Sequence, residues 1–555
     1  MDSTIKLTPI QRFWKLLHSD RKEIRNVYVY AVFAGLINLS LPLGIQAIIN
    51  LIQGGQVSTA WVVLVTVVVL GVTATGILQI AQLRITENLQ QRIFARSAFE
   101  FAYRIPKVKM EAIYKHYAPE LMNRFFDTLT VQKGLSKILI DFSTAVLQVL
   151  FGLILLSFYH PFFILFSLIL IILVYAIFRF TGKPGLQTSL NESKYKYRVA
   201  HWLEELARTG TTFKLAGRTE LPLTKMDKEV GAYLNSRESH FKILVQQYSL
   251  MVVFKAVVAA GLLAMGGILV MQQLMNIGQF VAAEIIILLV MASVEKLVMS
   301  MESIYDVLTA LEKIGQVTDI EIERTEGIET ICKADEGMTV ELNNVDFIYP
   351  EGDKKILDGI SLAVSAGDKV VITGPNGSGK STLLQVIAGL YGVKSGSINY
   401  NGLPIGNLNL SALRSEIGDC LTQEQLFDGT VLENISMGRA GATFENVRWA
   451  VENLKLDEFV QELPNGYDTH IDPLGRKLPQ SIIQKLLLAR SIADRPNLLL
   501  LEDALEHLDD DERKLIIDFL VKPENEWTIV AVSSSSYFKS KVDRVLEMKN
   551  GQFIQ

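Results

Sequence analysis

The sequence predicts a membrane-embedded, all-α region of six helices followed by a soluble α/β domain. Residues 26–83 contain no Lys, Arg, Asp or Glu, and two further strongly apolar stretches lie at residues 141–179 and 247–300. Beyond about residue 300 the composition resembles that of a soluble domain. There, an apolar, strand-like segment at residues 369–373 leads through a glycine-rich turn into a helix-like segment at residues 383–388. A strand–turn–helix unit of this kind is typical of α/β domains.

Each apolar stretch is long enough for two membrane spans, because one span needs about 20 apolar residues. Polar breaks divide the stretches at residues 53–56, 159–161 and 272–276. The sequence therefore predicts three helical pairs, or six spans. A large soluble helical core is the alternative, and three such pairs in succession disfavour it.

The distribution of Lys and Arg predicts the topology. The three short breaks contain neither residue, whereas basic residues precede the first span and recur in the long links between the pairs. The positive-inside rule therefore predicts that the N-terminus, both long loops and the C-terminal domain are cytoplasmic. The predicted domains are an interfacial helix (residues 1–25), the six-span region (26–316), a linker (317–336) and the α/β domain (337–555).

Charge and cysteine content exclude several classes of protein. The net charge is −5 and no basic stripe dominates, which argues against nucleic-acid binding. The two cysteines, Cys332 and Cys420, lack C-x-x-C spacing, so neither a disulfide framework nor a zinc site is expected. Within the third helical pair, Lys255 and Glu284 are charged residues that either line a pathway or have a structural role, in which Lys255 pairs with Glu284 or extends to the membrane interface.

The glycine-rich turn predicts a phosphate-binding site. Residues 374–382, called the phosphate-binding loop below, follow the G-x-x-x-x-G-K-[ST] pattern between a strand and a helix. The predicted nucleotide-binding residues of this loop are Gly374, Pro375, Asn376, Gly377, Ser378, Gly379, Lys380, Ser381 and Thr382. Glycines let backbone N–H groups approach phosphate oxygens, Lys380 is expected to reach the β- and γ-phosphates, and Ser381 is expected to bind Mg²⁺. A glycine-rich turn without a ligand is the alternative.

Six spans followed by such a loop resemble an ATP-binding cassette (ABC) exporter half-transporter. The resemblance implies an exporter-type transmembrane domain, a P-loop ATP-binding cassette domain with ATP and Mg²⁺, and pairing with a second half-transporter. Tyr349, in the segment at residues 345–350, matches the residue that stacks on the adenine base. The narrower likeness is to the type I secretion group, which exports peptides or proteins. That likeness implies the cytoplasmic (inner) membrane of a bacterium and a periplasmic adaptor.

Several segments depart from the family pattern. The signature Leu-Ser-Gly-Gly-Gln is replaced at residues 478–482 by a segment without glycine. The Asp-Glu pair that follows an apolar strand is reversed to Glu502–Asp503, so the resemblance assigns Mg²⁺ binding to Glu502 and the general base to Asp503. Ser534 stands where the family has its switch histidine.

The glutamine loop is also irregular. Thr422 occupies the expected position of the glutamine, and Gln423 follows it; Gln423 is the preferred candidate for the nucleotide and metal contact.

These observations predict an exporter subunit that couples ATP binding and weak hydrolysis to export of a substrate, such as a peptide or protein. The alternatives are an ATP-sensing membrane scaffold that does not hydrolyse ATP, and the degenerate half of a heterodimeric transporter. The sequence leaves open the cargo, the choice between homodimer and heterodimer, and whether the chain hydrolyses ATP unaided.

Overall fold

The computed structural model describes residues 7–53, 59–114, 118–332, 336–422 and 424–554. The chain forms two compact units. One comprises residues 1–106 and 116–320, and the other comprises residues 107–115 and 321–555.

The chain ahead of the first strand is helical. Its helices are α1 (Pro9–Ser19), α2 (Arg21–Asn38), α3 (Ser40–Gln53), α4 (Thr59–Arg104), α5 (Met110–Ile113), α6 (Ala118–Asn123), α7 (Asp127–Lys137), α8 (Ser143–Ser157), α9 (Pro161–Arg208), α10 (Gly210–Leu215), α11 (Leu221–Met271) and α12 (Ile277–Thr318). Within the described residues, six helical stretches are long and apolar enough to cross a membrane: 21–53, 59–107, 120–157, 161–208, 221–271 and 277–318. The six-helix prediction is confirmed.

Two of the predicted breaks are helix boundaries with local causes. At α9, the His160 side chain accepts a hydrogen bond from the Phe162 N–H, and Pro161 takes the first helical position, where its missing N–H costs nothing. At α12, Asn276 and Gln279 form a reciprocal capping box. Of the break at residues 53–56, only Gln53, the last residue of α3, lies within the described residues.

Helix α12 is the central helix of the first unit. In its most apolar window 44% of the residues are buried, against none for α4, and it packs against α3, α7, α8, α9 and α11. Close packing with α9 depends on Gly185, where a Cβ atom would lie 2.4 Å from the Tyr305 ring. The apolar surface left outside is suited to lipid, which explains why these helices are apolar on nearly every face.

The charged residues of the last helical pair form an ion pair other than the one considered from the sequence. The Lys255 ammonium lies 2.6 Å from the Glu295 carboxylate, not beside Glu284. The reason is the antiparallel register of α11 and α12. Measured along the helices, Lys255 is about 24 Å and Glu295 about 27 Å from the turn that joins α11 to α12. Glu284 is only about 10 Å from that turn.

The second unit contains two main sheets and the helices around them. Its strands are β1 (Val340–Phe347), β2 (Leu357–Val364), β3 (Lys369–Thr373), β4 (Ser395–Tyr400), β5 (Leu403–Pro404), β6 (Ile417–Cys420), β7 (Gly429–Thr430), β8 (His470–Ile471), β9 (Leu498–Glu502), β10 (Thr528–Val532), β11 (Arg544–Lys549) and β12 (Gln552–Ile554). Its further helices are α13 (Lys380–Ile387), α14 (Leu410–Ser415), α15 (Val431–Ser436), α16 (Phe444–Asn453), α17 (Asp457–Glu462), α18 (Gln480–Ile492), α19 (Asp510–Leu520) and α20 (Ser536–Lys539).

The larger sheet has the strand order β12-β11-β3-β10-β9-β6 and is parallel from β11 to β6. Its central strands β9 and β10 are buried along their whole length, which is why residues 498–501 are uniformly apolar. The smaller, antiparallel sheet has the order β2-β1-β4-β5. The predicted α/β domain is confirmed. Because β3, β10, β9 and β6 are parallel, their carboxyl ends lie on one edge of the sheet, where ligands of open α/β sheets bind.

Candidate functional site

The phosphate-binding loop leaves β3 and enters α13 with a backbone that only glycine adopts easily. Gly374, Gly377 and Gly379 have φ values of 145°, 78° and 102°. A Cβ atom at Gly374 would lie 2.0 Å from the Met548 carbonyl oxygen, and one at Gly379 would lie 2.8 Å from the Ile356 carbonyl oxygen. Two of the three glycines are therefore required by close backbone approach as well as by φ.

The N-terminus of α13 is open for an anion. Gly379 is its N-cap residue and supplies no side-chain cap, so within the described chain the first-turn N–H groups are left for a ligand. The Ser378 hydroxyl oxygen is buried and has no hydrogen-bond partner among the described residues. These features fit a bound phosphate group.

The side chains of the loop point to different surroundings. Lys380 donates to the carbonyl oxygens of Gly374 and Pro375, at 2.9 and 3.0 Å, so its ammonium lies over the loop. Ser381 is exposed, as are Pro375, Asn376 and Gly377 at the tip of the loop. Thr382 is buried. Ser381 is thus accessible to a metal ion, and Lys380 covers the place where phosphates are predicted.

Tyr349 lies beside this loop. Its hydroxyl lies 2.9 Å from the Thr382 hydroxyl and donates to Gln385 at 3.1 Å. The ring packs edge-on against Tyr391 and is stacked on Tyr114, with ring centroids 5.6 Å apart and an interplanar angle of 17°. A base that stacks on Tyr349 must therefore use its other face or take the place of Tyr114.

The acidic residues of the site follow β9. Glu502 is the last residue of β9, only 7% exposed, and its carboxylate accepts a hydrogen bond from the Thr422 N–H at 3.1 Å. Asp503 has a positive φ of 47°, and its N–H donates to the Val532 carbonyl oxygen at 3.0 Å. Adjacent carboxylates at the end of one buried strand thus have different surroundings.

Burial raises the pKa of Asp503 to about 6, and the negative charges of Glu506 and Glu502 act in the same direction. The Lys380 ammonium opposes this shift, which places the lysine of the phosphate-binding loop within electrostatic reach of Asp503. A carboxyl group with a pKa near 6 is ionised at neutral pH and still basic enough to accept a proton.

Asp503 and Ser534 line the same cavity of about 280 Å³, together with Glu506, His507 and Arg513. Ser534 is exposed, while the neighbouring Ser533 and Ser535 use their hydroxyls to accept backbone N–H groups. The structure thus brings Asp503 and Ser534 together. Glu502 and the phosphate-binding loop are not among the described residues that line this cavity.

The glutamine loop follows β6. Gln423 lies outside the described residues, so the choice between Thr422 and Gln423 stays open. The two residues before it are held by carboxyl groups: Leu421 donates its N–H to Glu424 at 2.8 Å, and Thr422 donates to Glu502. Burial raises the pKa of Glu424 to about 9, and the Asp419 charge acts in the same direction.

Sequence reasoning missed two residues of the site. Tyr114 comes from the segment at residues 107–115, which belongs to the second unit although it is distant in sequence. Its only sequence signal is an aromatic residue in a polar loop. Glu424 gives no signal of its pairing, because exposed glutamates are common beside such loops.

The segment that replaces the signature motif begins α18. Pro479 is the N-cap residue and supplies no side-chain cap, and Gln480 is the first helical residue. Farther along α18, Gln484 donates to the Asp503 carbonyl oxygen at 3.3 Å and accepts from the His507 N–H at 3.0 Å. This helix is therefore connected to the backbone that carries Asp503.

Comparison with known proteins gives matches in both units. The ABC transporter transmembrane region matches residues 25–294, and the ABC transporter domain matches residues 357–506. The transport/processing ATP-binding protein ComA of Streptococcus pneumoniae is 24% identical over 551 residues, or 98% of this chain and 76% of ComA.

Other matches cover less of the relative or show only the fold. An uncharacterized ABC transporter ATP-binding protein of Sinorhizobium fredii is 26% identical over 59% of this chain and 56% of its own length. Two further relatives are matched over only 39% and 38% of their lengths. The structure of a bacterial Atm1-family ABC exporter with ATP bound superposes with a TM-score of 0.85 at 19% identity, over 96% of this chain and 94% of that one. At this identity the likeness shows the fold.

Proposed function

The chain is an ABC exporter half-transporter, with an ABC transmembrane region ahead of an ABC nucleotide-binding domain, and from this premise we propose that it exports a substrate as one half of a dimer driven by ATP. The phosphate-binding loop carries this proposal. Its uncapped helix N-terminus, its three positive-φ glycines and the overlying Lys380 ammonium together suit a triphosphate. ATP bound there supplies a transferable γ-phosphate and the binding energy that favours a closed pair of domains.

We assign the roles of individual residues from the family resemblance, and the positions described above support the assignment. The loop amides and Lys380 hold phosphates, Ser381 and Glu502 hold Mg²⁺, and Tyr349 stacks on the base. Asp503, with its pKa near 6, accepts the proton of the attacking water, and Ser534 donates a hydrogen bond to the phosphoryl group. Gln423 or Thr422 completes the metal site.

We propose that hydrolysis by this chain is slow. Aspartate is one methylene shorter than glutamate, and a misplacement near 1 Å costs on the order of a hundredfold in rate. Serine in place of a switch histidine removes a longer donor, a change that typically costs about 10² to 10³ in kcat. Pro479 also removes one N–H from the helix end that faces a partner's nucleotide in this family. If the chain is one half of a heterodimer, a second half-transporter with complete motifs would supply most of the turnover.

We place the protein in the cytoplasmic membrane of a bacterium on the resemblance to type I secretion proteins, and both of its termini in the cytoplasm on the distribution of Lys and Arg. A peptide or protein cargo, with an adaptor, follows from the resemblance to type I secretion proteins, and the name of the relative ComA includes both transport and processing.

Nucleotide binding and turnover by the full chain in lipid nanodiscs test the proposal. We expect saturable, Mg²⁺-dependent ATP binding that Lys380→Ala reduces by at least about a hundredfold, since a charge-assisted phosphate contact and its neighbours are lost. Lys394→Ala is the matched control, because Lys394 is an exposed lysine of the same domain. Turnover by the chain alone should be close to background and should increase when a complete half-transporter is co-assembled.

Two results would contradict this proposal. Absence of saturable ATP binding removes the nucleotide from the mechanism altogether. Rapid hydrolysis by the chain alone removes the need for a partner with complete motifs. Unchanged export in the Lys380→Ala variant would instead favour an ATP-sensing scaffold.

A further inference from the structure

A second pocket, of about 550 Å³, lies in the first unit, among α9, α12 and the turn that follows α6. The described residues that line it include four cationic and two anionic side chains. These are Arg124, Lys194, Arg198, Lys313, Glu120 and Glu312. All of them belong to the transmembrane unit and not to the ABC nucleotide-binding domain. The pocket has the size of small-molecule sites, which are commonly 300–1,000 Å³.

The two carboxylates of the pocket already have cationic neighbours. Glu312 lies 3.4 Å from the Arg12 guanidinium, which α1 contributes from outside the pocket. Glu120 lies 3.6 Å from Arg124 and 3.5 Å from the His201 ring nitrogen. Both carboxylates are thus shared with other cations, and the described lining of the pocket keeps a net positive charge.

Lys313 is the buried cation of the set. It is 8% exposed, and its ammonium lies 5.6 Å from the centre of the Tyr197 ring. Over the described residues it has neither a hydrogen bond nor an ion pair. The nearby Asp127 carboxylate is already occupied by the Tyr197 hydroxyl and by Lys196 at 3.7 Å. Lys313 therefore lies near the charges of Asp127 and Glu312 without a direct hydrogen bond or ion pair to either, and a ligand anion would supply that direct contact.

Lys194 and Arg198 extend the positive charge to the rim of the pocket. They are four residues apart on α9, so both lie on one face of that helix. Both are exposed and, within the part of the chain that the structure describes, neither has an ion pair. Their long side chains surround the opening, and the arginine fork suits carboxylate or phosphate oxygens.

The pocket lies beyond the lipid headgroups. Lys194 is 33 residues from the start of α9 and Lys313 is 36 residues from the start of α12, or about 50 and 54 Å along the helices. Hydrocarbon occupies about 30 Å of such a helix and headgroups a further 5–8 Å on each side. With the helices starting at the far membrane surface, the pocket is accessible from the aqueous phase at the end of α12 that leads to the ABC domain.

We propose that this pocket binds a small, soluble anion that carries two or more phosphate or carboxylate groups. The anion contacts Lys313 at the buried side and Lys194 and Arg198 at the rim, and so connects α9 to α12. Because the anion would contact both helices at once, the occupied pocket favours the arrangement in which α9 and α12 are close together.

Calorimetric titration of the full chain in nanodiscs of zwitterionic lipid tests this inference, with pyrophosphate and citrate as probes. The chain carries Lys380→Ala in every arm, so that the phosphate-binding loop contributes little. We expect saturable binding that Lys313→Met weakens by at least about tenfold, the usual effect of removing one charge-assisted contact. Lys228→Met, at an exposed position on α11, is the matched control and should leave the affinity unchanged.

The double variant Lys194→Gln/Arg198→Gln keeps the test valid if Lys313→Met does not fold, because both positions are exposed. It should also weaken binding by at least about tenfold and should flatten its salt dependence. Absence of binding, or binding that none of these variants weakens, would overturn the proposal. Competition by anionic lipid added to the nanodiscs would identify a headgroup as the ligand and would overturn the assignment of a soluble anion. ATP binding to the wild-type chain is independent of all these outcomes.

Discussion

Two segments at the carboxyl edge of the larger sheet use their backbone N–H groups differently. They are the segment after β3, called the β3 side below, and the segment after β6, called the β6 side. At the end of β3, the glycine N-cap leaves the first-turn N–H groups of α13 open to a ligand. At the end of β6, the N–H groups of Leu421 and Thr422 are already bonded to the carboxyl groups of Glu424 and Glu502. This difference supports the proposal that phosphate binding and hydrolysis are separable in this domain. Under that proposal, phosphate binding depends on backbone geometry and hydrolysis depends on the side chains of Asp503 and Ser534.

The largest effect is expected from Gly374→Ala, which adds a Cβ atom where the phosphate-binding loop on the β3 side lies close to β11. A Cβ atom there meets the Met548 carbonyl oxygen at 2.0 Å, and β11, which carries it, is a paired strand that cannot yield easily. We expect ATP affinity to fall by at least about a hundredfold and the free energy of unfolding to fall by about 2 kcal/mol or more. Fluorescent-nucleotide binding and thermal unfolding measure the two quantities.

Gly377→Ala is the matched control for that change. Gly377 also has a positive φ, 78°, but a Cβ atom there has no neighbour within 4 Å. The expected cost is the left-handed backbone strain alone, about 1 kcal/mol. Equal losses in the two variants would contradict the argument from close backbone approach.

A smaller effect, a rise in ATP turnover and not a loss of ATP affinity, is expected at the cavity lined by Asp503 and Ser534. The double variant Asp503→Glu/Ser534→His introduces the glutamate and histidine that the proposed roles call for at the cavity that both residues line. We expect ATP turnover by the chain alone to rise by about 10- to 100-fold, because reach and a second donor are regained. ATP affinity should change by less than about twofold, since the variant keeps a carboxylate at residue 503 and a hydrogen-bond donor at residue 534.

Ser536→His controls for an added histidine near the same strand. Ser536 is exposed on α20 and is not among the described residues of the cavity. Asp503→Glu combined with Ser536→His should leave turnover below that of the restoring pair. If the restoring pair binds ATP normally and turns over no faster than the wild type, residues 503 and 534 do not limit hydrolysis in the way proposed.

Features set by local sequence were predictable. The six spans follow from the lengths of apolar runs, and the boundaries at His160 and Asn276 follow from capping residues beside polar breaks. The phosphate-binding loop is a continuous motif, so its nine residues were found together. Their predicted roles in binding, like those of Asp503, Glu502 and Ser534, remain predictions.

Features set by the relative register of distant segments were not predictable. Lys255 pairs with Glu295 because two antiparallel helices bring them to the same height, and the sequence alone does not give that height. Tyr114 stacks on Tyr349 across more than two hundred residues of chain. Both contacts depend on tertiary packing, to which local patterns are insensitive.

The smallest effect is expected at Glu424, whose carboxyl group accepts the Leu421 N–H on the β6 side. The folded-state pKa of Glu424, about 9, is raised by burial above the value of 4.5 for an exposed glutamate. The folded chain therefore keeps a proton that the unfolded chain releases, and stability falls as pH rises from about 4.5 towards 9. Glu424→Gln removes this loss, so we expect it to stabilise the chain by roughly 1–2 kcal/mol at pH 8 relative to pH 5. Thermal unfolding at both pH values measures the difference.

Glu433→Gln is the opposite control. The Thr430 N–H lowers the pKa of Glu433, so the contribution of Glu433 to stability is lost as pH falls. Destabilisation by Glu424→Gln at pH 8 would show that Glu424 is ionised and that the Leu421 N–H is held by a charge, which would weaken the contrast between the two sides of the edge.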